Sequence, residues 1–544
     1  MKKDTRMGLP TLIWLGFSFI AGITFTASFA SIVGSDKEAG VRIHILWIFA
    51  IEGLVAFICA WAFARLVKVH PTANGGSSQY VRTALGEFWG LFMGLINYAA
   101  IPLIAMGLLV TMIRNNFAAG SVIENGLFGE NGLWGSWGKL YLDLISLAIY
   151  SFAAAILFFG IRKYKVVATV IGYLTWAITI FIMIVGIIVF SGNGIVGLQH
   201  YSNPENIDLS FFKFNNAFVS CFFAFCGLET FITVGNNIKN RGKNMPIAMT
   251  VIMIATTAFY IIFTLILMGA VPAGFQDNPN IQVFLKSPGL KAFGGWMVII
   301  CTILMRFNSN LQITLFGGSC LEPLAAQGFL PEKISVKNKE NIPVAGVITS
   351  ICIVLITFVL FMLIPDIIEG ATGNSSPFDY QTIAAATSIV LISIYLIVLS
   401  TVIIQGYRKQ IHVRWYEYTG WIIVLGFLIL QFFMYFFDRF SDLISGIAKN
   451  NISSVLGGVV PIIYFIGIIA AVFGIYFLYY KPKKAKLLNT PEGIKKYEEI
   501  KTIFRILTPE EVEAIEIEDA KLDEYWDNLK KAQALEKLKN KSQK

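Results

Sequence analysis

Charge is scarce in this chain. Of its 544 residues 14% are Asp, Glu, Lys or Arg against 56% hydrophobic, and the mean hydropathy is +0.67. That balance excludes a soluble domain of this length. Histidine is nearly missing. The four present (His44, His70, His200 and His412) are far apart, at span edges or in loops, and read as ordinary surface groups. No cluster has metal-ligand spacing, no loop cradles a phosphate, and no nucleophile has a base at catalytic spacing. No metal, no cofactor and no enzymatic activity are therefore expected. The six cysteines (Cys59, Cys221, Cys226, Cys301, Cys320, Cys352) all fall in or beside apolar runs, so no disulfide framework is read.

Apolar runs of about 20 residues recur from end to end, each long enough to cross a hydrocarbon layer of ~30 Å. They place spans near 9–33, 42–66, 88–114, 139–160, 166–191 and 215–236. A second set lies near 245–270, 293–321, 342–364, 382–404, 415–437 and 458–480. The first is too long for the apolar region of a cleaved signal. The expected fold is an all-α polytopic membrane protein with twelve transmembrane helices. Lys and Arg mark alternate connections: Lys2, Lys3 and Arg6; Arg65, Lys68 and Arg82; Arg162, Lys163 and Lys165; Lys239, Arg241 and Lys243; Lys333, Lys337 and Lys339; Arg408, Lys409 and Arg414. The segment 365–381 has neither. By the positive-inside rule both termini are cytoplasmic, and the plasma membrane is the expected location. The net charge of +9 is then mostly topology and calls for no nucleic acid.

The stretch from Phe222 to Pro246 is the least regular. Phe222-Phe223-Ala224-Phe225-Cys226-Gly227-Leu228-Glu229 begins as a span and then carries a glycine and a carboxylate. A charge at the bilayer centre costs about 2.5 to 3.5 kcal/mol on insertion scales, so Glu229 is not expected to face lipid. A helix break with a ligand beside it, and a helix contact beside a paired glutamate, both account for the pattern. From Lys481 the composition turns to a charged tail. Thr508-Pro509-Glu510-Glu511 reads as a helix start, with Thr as cap and carboxylates at the positive end of the dipole. A solvated helix without a specific partner is the expectation for that tail.

Three motifs resemble the amino acid–polyamine–organocation superfamily of permeases. Pro71 to Arg82 with Gly86-Glu87 resembles its P-x-x-G-G-S-x-x-Y-V-R…G-E signature, Phe223 to Glu229 its sixth span, and Gly328-Phe329-Leu330-Pro331 to Ala345 its eighth-to-ninth connection. The likeness covers about residues 9–480. There are departures: Asn237 stands for the family's loop Glu, Arg241 for its Pro, and Arg65 for a glutamate ending span two. Gly22-Ile23-Thr24-Phe25-Thr26 keeps only the first glycine of G-x-G-I-F.

The resemblance implies a five-plus-five inverted repeat. The expected parts are 1–8 cytoplasmic, 9–191 the first repeat, 192–214 an extracellular loop, 215–404 the second repeat, 405–480 two appended helices and 481–544 a cytoplasmic tail. Both repeats open on a glycine-bearing irregular helix, and matched broken helices point to a midplane site. The implied substrate-binding positions are Gly22, Ile23, Thr24, Phe25 and Thr26, with Phe225, Cys226, Gly227 and Leu228. Phe223 falls where relatives have an aromatic lid, and Glu229 just beneath the site, as a protonation-responsive group. Ile101, Ala105 and Ile313 fall at pocket-facing positions. None donates, accepts or offers a π face, so arginine is not the expected substrate.

Arg306 lies seven residues before Ile313 and on the same side of its helix. It either pairs with Glu52 or Glu229 and fixes packing, or meets an anionic substrate group. The implied function is a secondary active permease or exchanger for amino acids, acidic ones under the second reading of Arg306 and neutral ones under the first. A proton, sodium (with Ser309 a candidate ligand) or a counter-substrate is the coupling partner, and Glu229, Glu52 and Ser309 are the coupling or gating candidates. The fifth span lacks the lysine some proton-coupled relatives use. A non-transporting amino-acid sensor on the same fold is the alternative class, and a channel fits paired broken helices less well.

Overall fold

A computed structural model describes the chain except residues 1–7, 23–31, 35–39, 71–75, 120–121, 160, 226, 228–237, 273, 276–277, 288, 339–341, 374–379 and 543–544. Ile23, Thr24, Phe25, Thr26, Cys226, Leu228 and Glu229 therefore lie outside the described residues. Among the described residues the secondary structure is helical, apart from isolated bridge residues such as the Gly40–Ile207 pair.

The helices are α1 (Leu9–Ile20), α2 (Ile45–Val69), α3 (Gly76–Leu85), α4 (Glu87–Met112), α5 (Gly138–Phe158), α6 (Ile161–Asn193), α7 (Val196–Ser202) and α8 (Phe211–Phe222). Next come α9 (Arg241–Ala270), α10 (Pro279–Lys286), α11 (Lys291–Ala326), α12 (Val344–Phe358), α13 (Ile364–Thr372), α14 (Tyr380–Tyr407), α15 (Trp415–Ala448) and α16 (Ile452–Phe473). The tail forms α17 (Lys481–Leu488), α18 (Pro491–Ile503) and α19 (Pro509–Ser542). Wider π turns join α12 to α13 and α16 to α17, each just before a proline (Pro365, Pro482) that has no N–H for the ordinary ladder.

Ten stretches among the described residues are long and apolar enough to cross a membrane, and Leu9–Ser18 and Phe211–Phe225 are shorter apolar helices. The protein is a multi-pass membrane protein. Its centre is α4, whose apolar window is wholly buried, while α15 and α16 leave most of theirs outward. Such an outward face is stable only against lipid.

The packing follows a regular scheme. α2 packs on α9 and α4 on α11. α4 also packs on α14, as α11 does on α6; α9 meets α6, as α2 meets α14. α4 touches α5 as α11 touches α12, and α1 lies on α9 as α8 lies on α2. The α2–α9 crossing is close because Gly53 has no side chain: a Cβ there would sit 2.2 Å from Thr257 Oγ1.

The tail is not a free solvated helix, contrary to the sequence expectation. Lys484 Nζ and Tyr497 Oη donate to Glu87 at the start of α4, each at 2.7 Å, and Lys496 pairs with Glu332. The Leu507 N–H donates to Val69 O at 2.8 Å, and Lys68 pairs with Glu516 at 3.4 Å. His70 is likewise no surface group. It is fully buried beneath α3, with Nδ1 2.6 Å from Leu66 O, Nε2 2.9 Å from Thr83 Oγ1 and its ring on Tyr80. A span edge becomes interior where the next segment folds back over it, which hydropathy does not register.

Candidate functional site

α1 stops at Ile20: Ala21 is extended, and its N–H still donates back to Phe17 O at 2.8 Å. α8 stops at Phe222 and tightens into a 3₁₀ turn over Phe223–Phe225. Gly227 follows at φ +118°, a left-handed backbone in which a side chain would be strained. The last turn of a helix leaves carbonyls without an intrahelical partner, and these ends bring Ile20 O and Ala224 O to the junction.

One side chain joins the two ends. Tyr260 of α9 places its hydroxyl 2.9 Å from Ile20 O and 2.7 Å from Ala224 O. A phenol has one proton, so the two carbonyls share a single donor. The ring is held by Phe225 (centroids 5.4 Å) and Phe49 (5.5 Å), and Phe17, Trp176 and Phe259 close the next layer. Both described ends are C-terminal ends of helices, where the dipole is negative, and the carbonyls there suit a cation or ammonium group. Tyr260 escaped the sequence reading. It sits in the apolar run Ala258-Phe259-Tyr260-Ile261, where its only signal is a lone hydroxyl.

The other expected positions lie on the α4–α11 crossing. Ile101 and Ala105 are fully buried on α4 and Ile313 is 1% exposed on α11. A Cβ on Gly317, one turn from Ile313, would lie 3.2 Å from Ile101 Cγ2, so these faces meet directly. Further along the same seam Asn310 Nδ2 reaches Met112 Sδ at 3.9 Å. Arg306 is one turn before Asn310 and is buried. Ser309 donates to Met305 O within its own helix at 3.1 Å, which leaves its oxygen lone pairs as acceptors.

Glu52 is fully buried on α2, and neither carboxylate oxygen has a hydrogen-bond partner. The Arg306–Glu52 pair that the sequence offered is therefore not formed. Phe223, Phe225, Tyr260, Ile101, Ala105 and Ile313 all belong to one continuous buried core. Among the described residues no group of histidines, cysteines and carboxylates has the makings of a metal site.

Two charge networks were also invisible to the sequence. At one end of the bundle Arg65 holds Glu417 (Nη2–Oε1 2.6 Å), with Trp61 Nε1 donating to the same oxygen at 2.6 Å. The arginine that replaces the expected glutamate has thus found its carboxylate on α15. At the opposite end Arg114 holds Asp143 at 2.8 Å and Asp366 at 3.4 Å, beside Lys139–Glu369 at 2.9 Å. These bonds pin the far ends of α4, α5 and α13 together.

A membrane-embedded helical bundle in which the ends of two helices meet on one buried tyrosine is the class that fold and site define. A family profile described as amino acid permease matches residues 7–494, and the chain belongs to that family. Protein MJ0609 of Methanocaldococcus jannaschii is 23% identical, over 79% of this chain and 90% of its own length. The branched-chain amino acid permease BcaP of Lactococcus lactis is 23% identical over 60% of this chain and 71% of its own. The general amino acid permease AGP3 of Saccharomyces cerevisiae is 23% identical over 62% and 54%. Among solved structures, MhsT in complex with L-phenylalanine matches at TM-score 0.49 and 14% identity, covering 80% of this chain and 99% of that one.

Proposed function

We propose that the protein is a secondary active amino-acid transporter of the plasma membrane that works by alternating access about the α1–α8 junction. The observation that carries this reading is the Tyr260 hydroxyl shared by the two broken ends. Carbonyls there suit the substrate ammonium. Backbone N–H groups in 22–26 and 225–228 suit the carboxylate, since an α-amino acid carries both charges on adjoining atoms. Phe223, 9% exposed, is the proposed lid and Glu229 the group beneath the site.

The neighbour scheme supports five-plus-five repeats. Exchanging α1 with α8, α2 with α9, α4 with α11, α5 with α12 and α6 with α14 turns each of the packing pairs given above into another of them or into itself. On this reading α1 and α8 are the first halves of broken spans, which brings the ten long helices to twelve spans, with α15 and α16 appended. Both termini are placed in the cytoplasm.

For the substrate, a neutral side chain is the better fit, given apolar Ile101, Ala105 and Ile313 and a relative named for branched-chain amino acids. An acidic side chain is the second reading, supported by buried Arg306 in register with Ile313. Purified protein in liposomes, with labelled amino-acid uptake competed by all twenty amino acids and several polyamines, tests both. Binding without uptake would leave the sensor reading standing. If Arg306→Gln stays folded, loses glutamate or aspartate uptake and spares a neutral substrate, Arg306 selects the substrate. A uniform loss together with expression makes it a packing residue.

A further inference from the structure

Glu52 stands apart from the other buried carboxylates. Glu417, Asp143, Asp366 and Glu369 each face a cation within 4 Å, whereas Glu52 has no hydrogen-bond partner on either oxygen. It lies seven residues, roughly 10 Å, inside the first end of α2, too deep for its short side chain to reach the end of the helix. Its setting is defined by three contacts. Phe49, one turn earlier, packs on Tyr260 at the helix junction. Gly53, the next residue, meets Thr257 of α9. The Cys221 thiol of α8, one turn before Ala224, is within its electrostatic reach. Glu52 is thus wedged where α2 meets α9 and the interrupted α8.

Among the described residues, the titratable groups on the elements packed against α2 leave its charge uncompensated; Arg42, in the turn just before α2, is engaged instead by Gly34 O at 3.1 Å and His200 Nε2 at 2.8 Å. α8 brings Cys221 and α9 brings Tyr260, neither of them a cation, and the Tyr260 hydroxyl is engaged by backbone carbonyls. α14 brings Tyr395, which packs on Phe63 three turns away. α15 brings Glu417, already held by Arg65 at the far end of α2, and α19 brings Glu516, paired with Lys68. An ionised carboxylate so enclosed is far less stable than the neutral acid.

We propose that Glu52 is a proton-binding site that couples amino-acid movement to a proton. In this conformation the carboxyl is protonated. When α8 moves against α2 and admits water, Glu52 ionises and releases that proton; it takes one proton per cycle from water on one side and returns it on the other. This rests on the transporter reading above and deepens it by naming the coupling ion and its carrier. No lysine on α6 is needed for it.

Proteoliposomes holding the full chain, with the amino acid found by competition, provide the test. An inward proton gradient is expected to raise wild-type uptake several-fold. Glu52→Gln, an isostere of the neutral acid, is expected to keep substrate binding and equal-pH counterflow but to lose gradient-driven accumulation, and Glu52→Asp to recover part of it. As an independent reading, dicyclohexylcarbodiimide, which attacks protonated carboxyls in apolar surroundings, should modify Glu52 in the wild type. Mass spectrometry should find less adduct as pH rises. Wild-type uptake indifferent to the gradient, Glu52→Gln still driven by it, or a Glu52 peptide unmodified while other carboxyls react would each overturn the proposal. Failure of the transporter reading looks different: no amino acid moves in the wild type at all, counterflow included.

Discussion

Arg114, Asp143 and Asp366 are each 4% exposed or less, and one guanidinium serves two carboxylates. Removing the cation leaves two buried acids face to face, with only Lys139, itself held by Glu369, nearby. Breaking a buried pair from one side costs about 3–5 kcal/mol. Arg114→Ala is therefore expected to lower the thermal midpoint in detergent markedly, and Arg114→Lys to recover only part, because the shorter side chain does not carry its ammonium to where Nη1 meets both carboxylates. An unchanged midpoint for Arg114→Ala would show that these bonds do not hold α4, α5 and α13 together. None of this was legible in the sequence: the partners are 29 and 252 residues apart, and nothing local marks Arg114 as interior. Glu52 and Arg306 were noticed because a charge inside an apolar run is a local anomaly. The Arg306–Glu52 half of the expected pairing fails because which faces of α2 and α11 meet is a property of packing; the other half, Glu229, lies outside the described residues.

The tail helices show the same division between local and distant information. The start of α19 was readable because capping is chemistry within four residues. The Glu511 N–H donates to Thr508 Oγ1 at 3.3 Å, and the Thr508 N–H to Glu511 Oε2 at 2.9 Å. What the sequence withheld is Arg505, whose two terminal nitrogens reach the Glu511 carboxylate at 2.9 and 2.5 Å. The Arg505 guanidinium, with the Thr508 N–H, depresses the Glu511 pKa from its ordinary 4.5 to about 2. A depressed carboxylate contributes its stabilisation fully above the ordinary value and loses it as pH falls through the folded one. The first turn of α19 should therefore fray between about pH 4.5 and 2, read as falling amide hydrogen-exchange protection at 511–516 after correction for intrinsic rates. Arg505→Ala should move the loss upward, toward the ordinary carboxylate range. Protection that is flat across this window would dismiss the contact.

For the molecule as a whole, span positions were legible because hydropathy is a running local average, and each of the ten long helices falls on an expected run. Gly22 and Gly227 drew attention to this region in the sequence: α1 ends two residues before the first, and the second takes a left-handed backbone after α8, while most of 22–26 and 225–228 lies outside the described residues. Tyr260, which joins them, was not, because its role exists only once α9 lies across both ends. Orientation is the remaining global property. Lys484 and Tyr497 bound to Glu87, with Lys68 bound to Glu516, place the tail on the same face as the start of α4 and the end of α2. Lys and Arg crowd the connections of that face: Arg65, Lys68 and Arg82, then Lys333 and Lys337, then Arg408, Lys409 and Arg414. Moving such clusters outward opposes the insertion bias that sets topology. Ala485→Cys, on a chain whose six native cysteines are replaced, is therefore expected to resist an impermeant maleimide in intact cells and to react after permeabilisation. A cysteine at Ser375, in the stretch without Lys or Arg, should behave the opposite way. Labelling of position 485 from outside would invert the orientation, and with it the side from which α1 and α8 enter the membrane and the direction in which Glu52 first meets water.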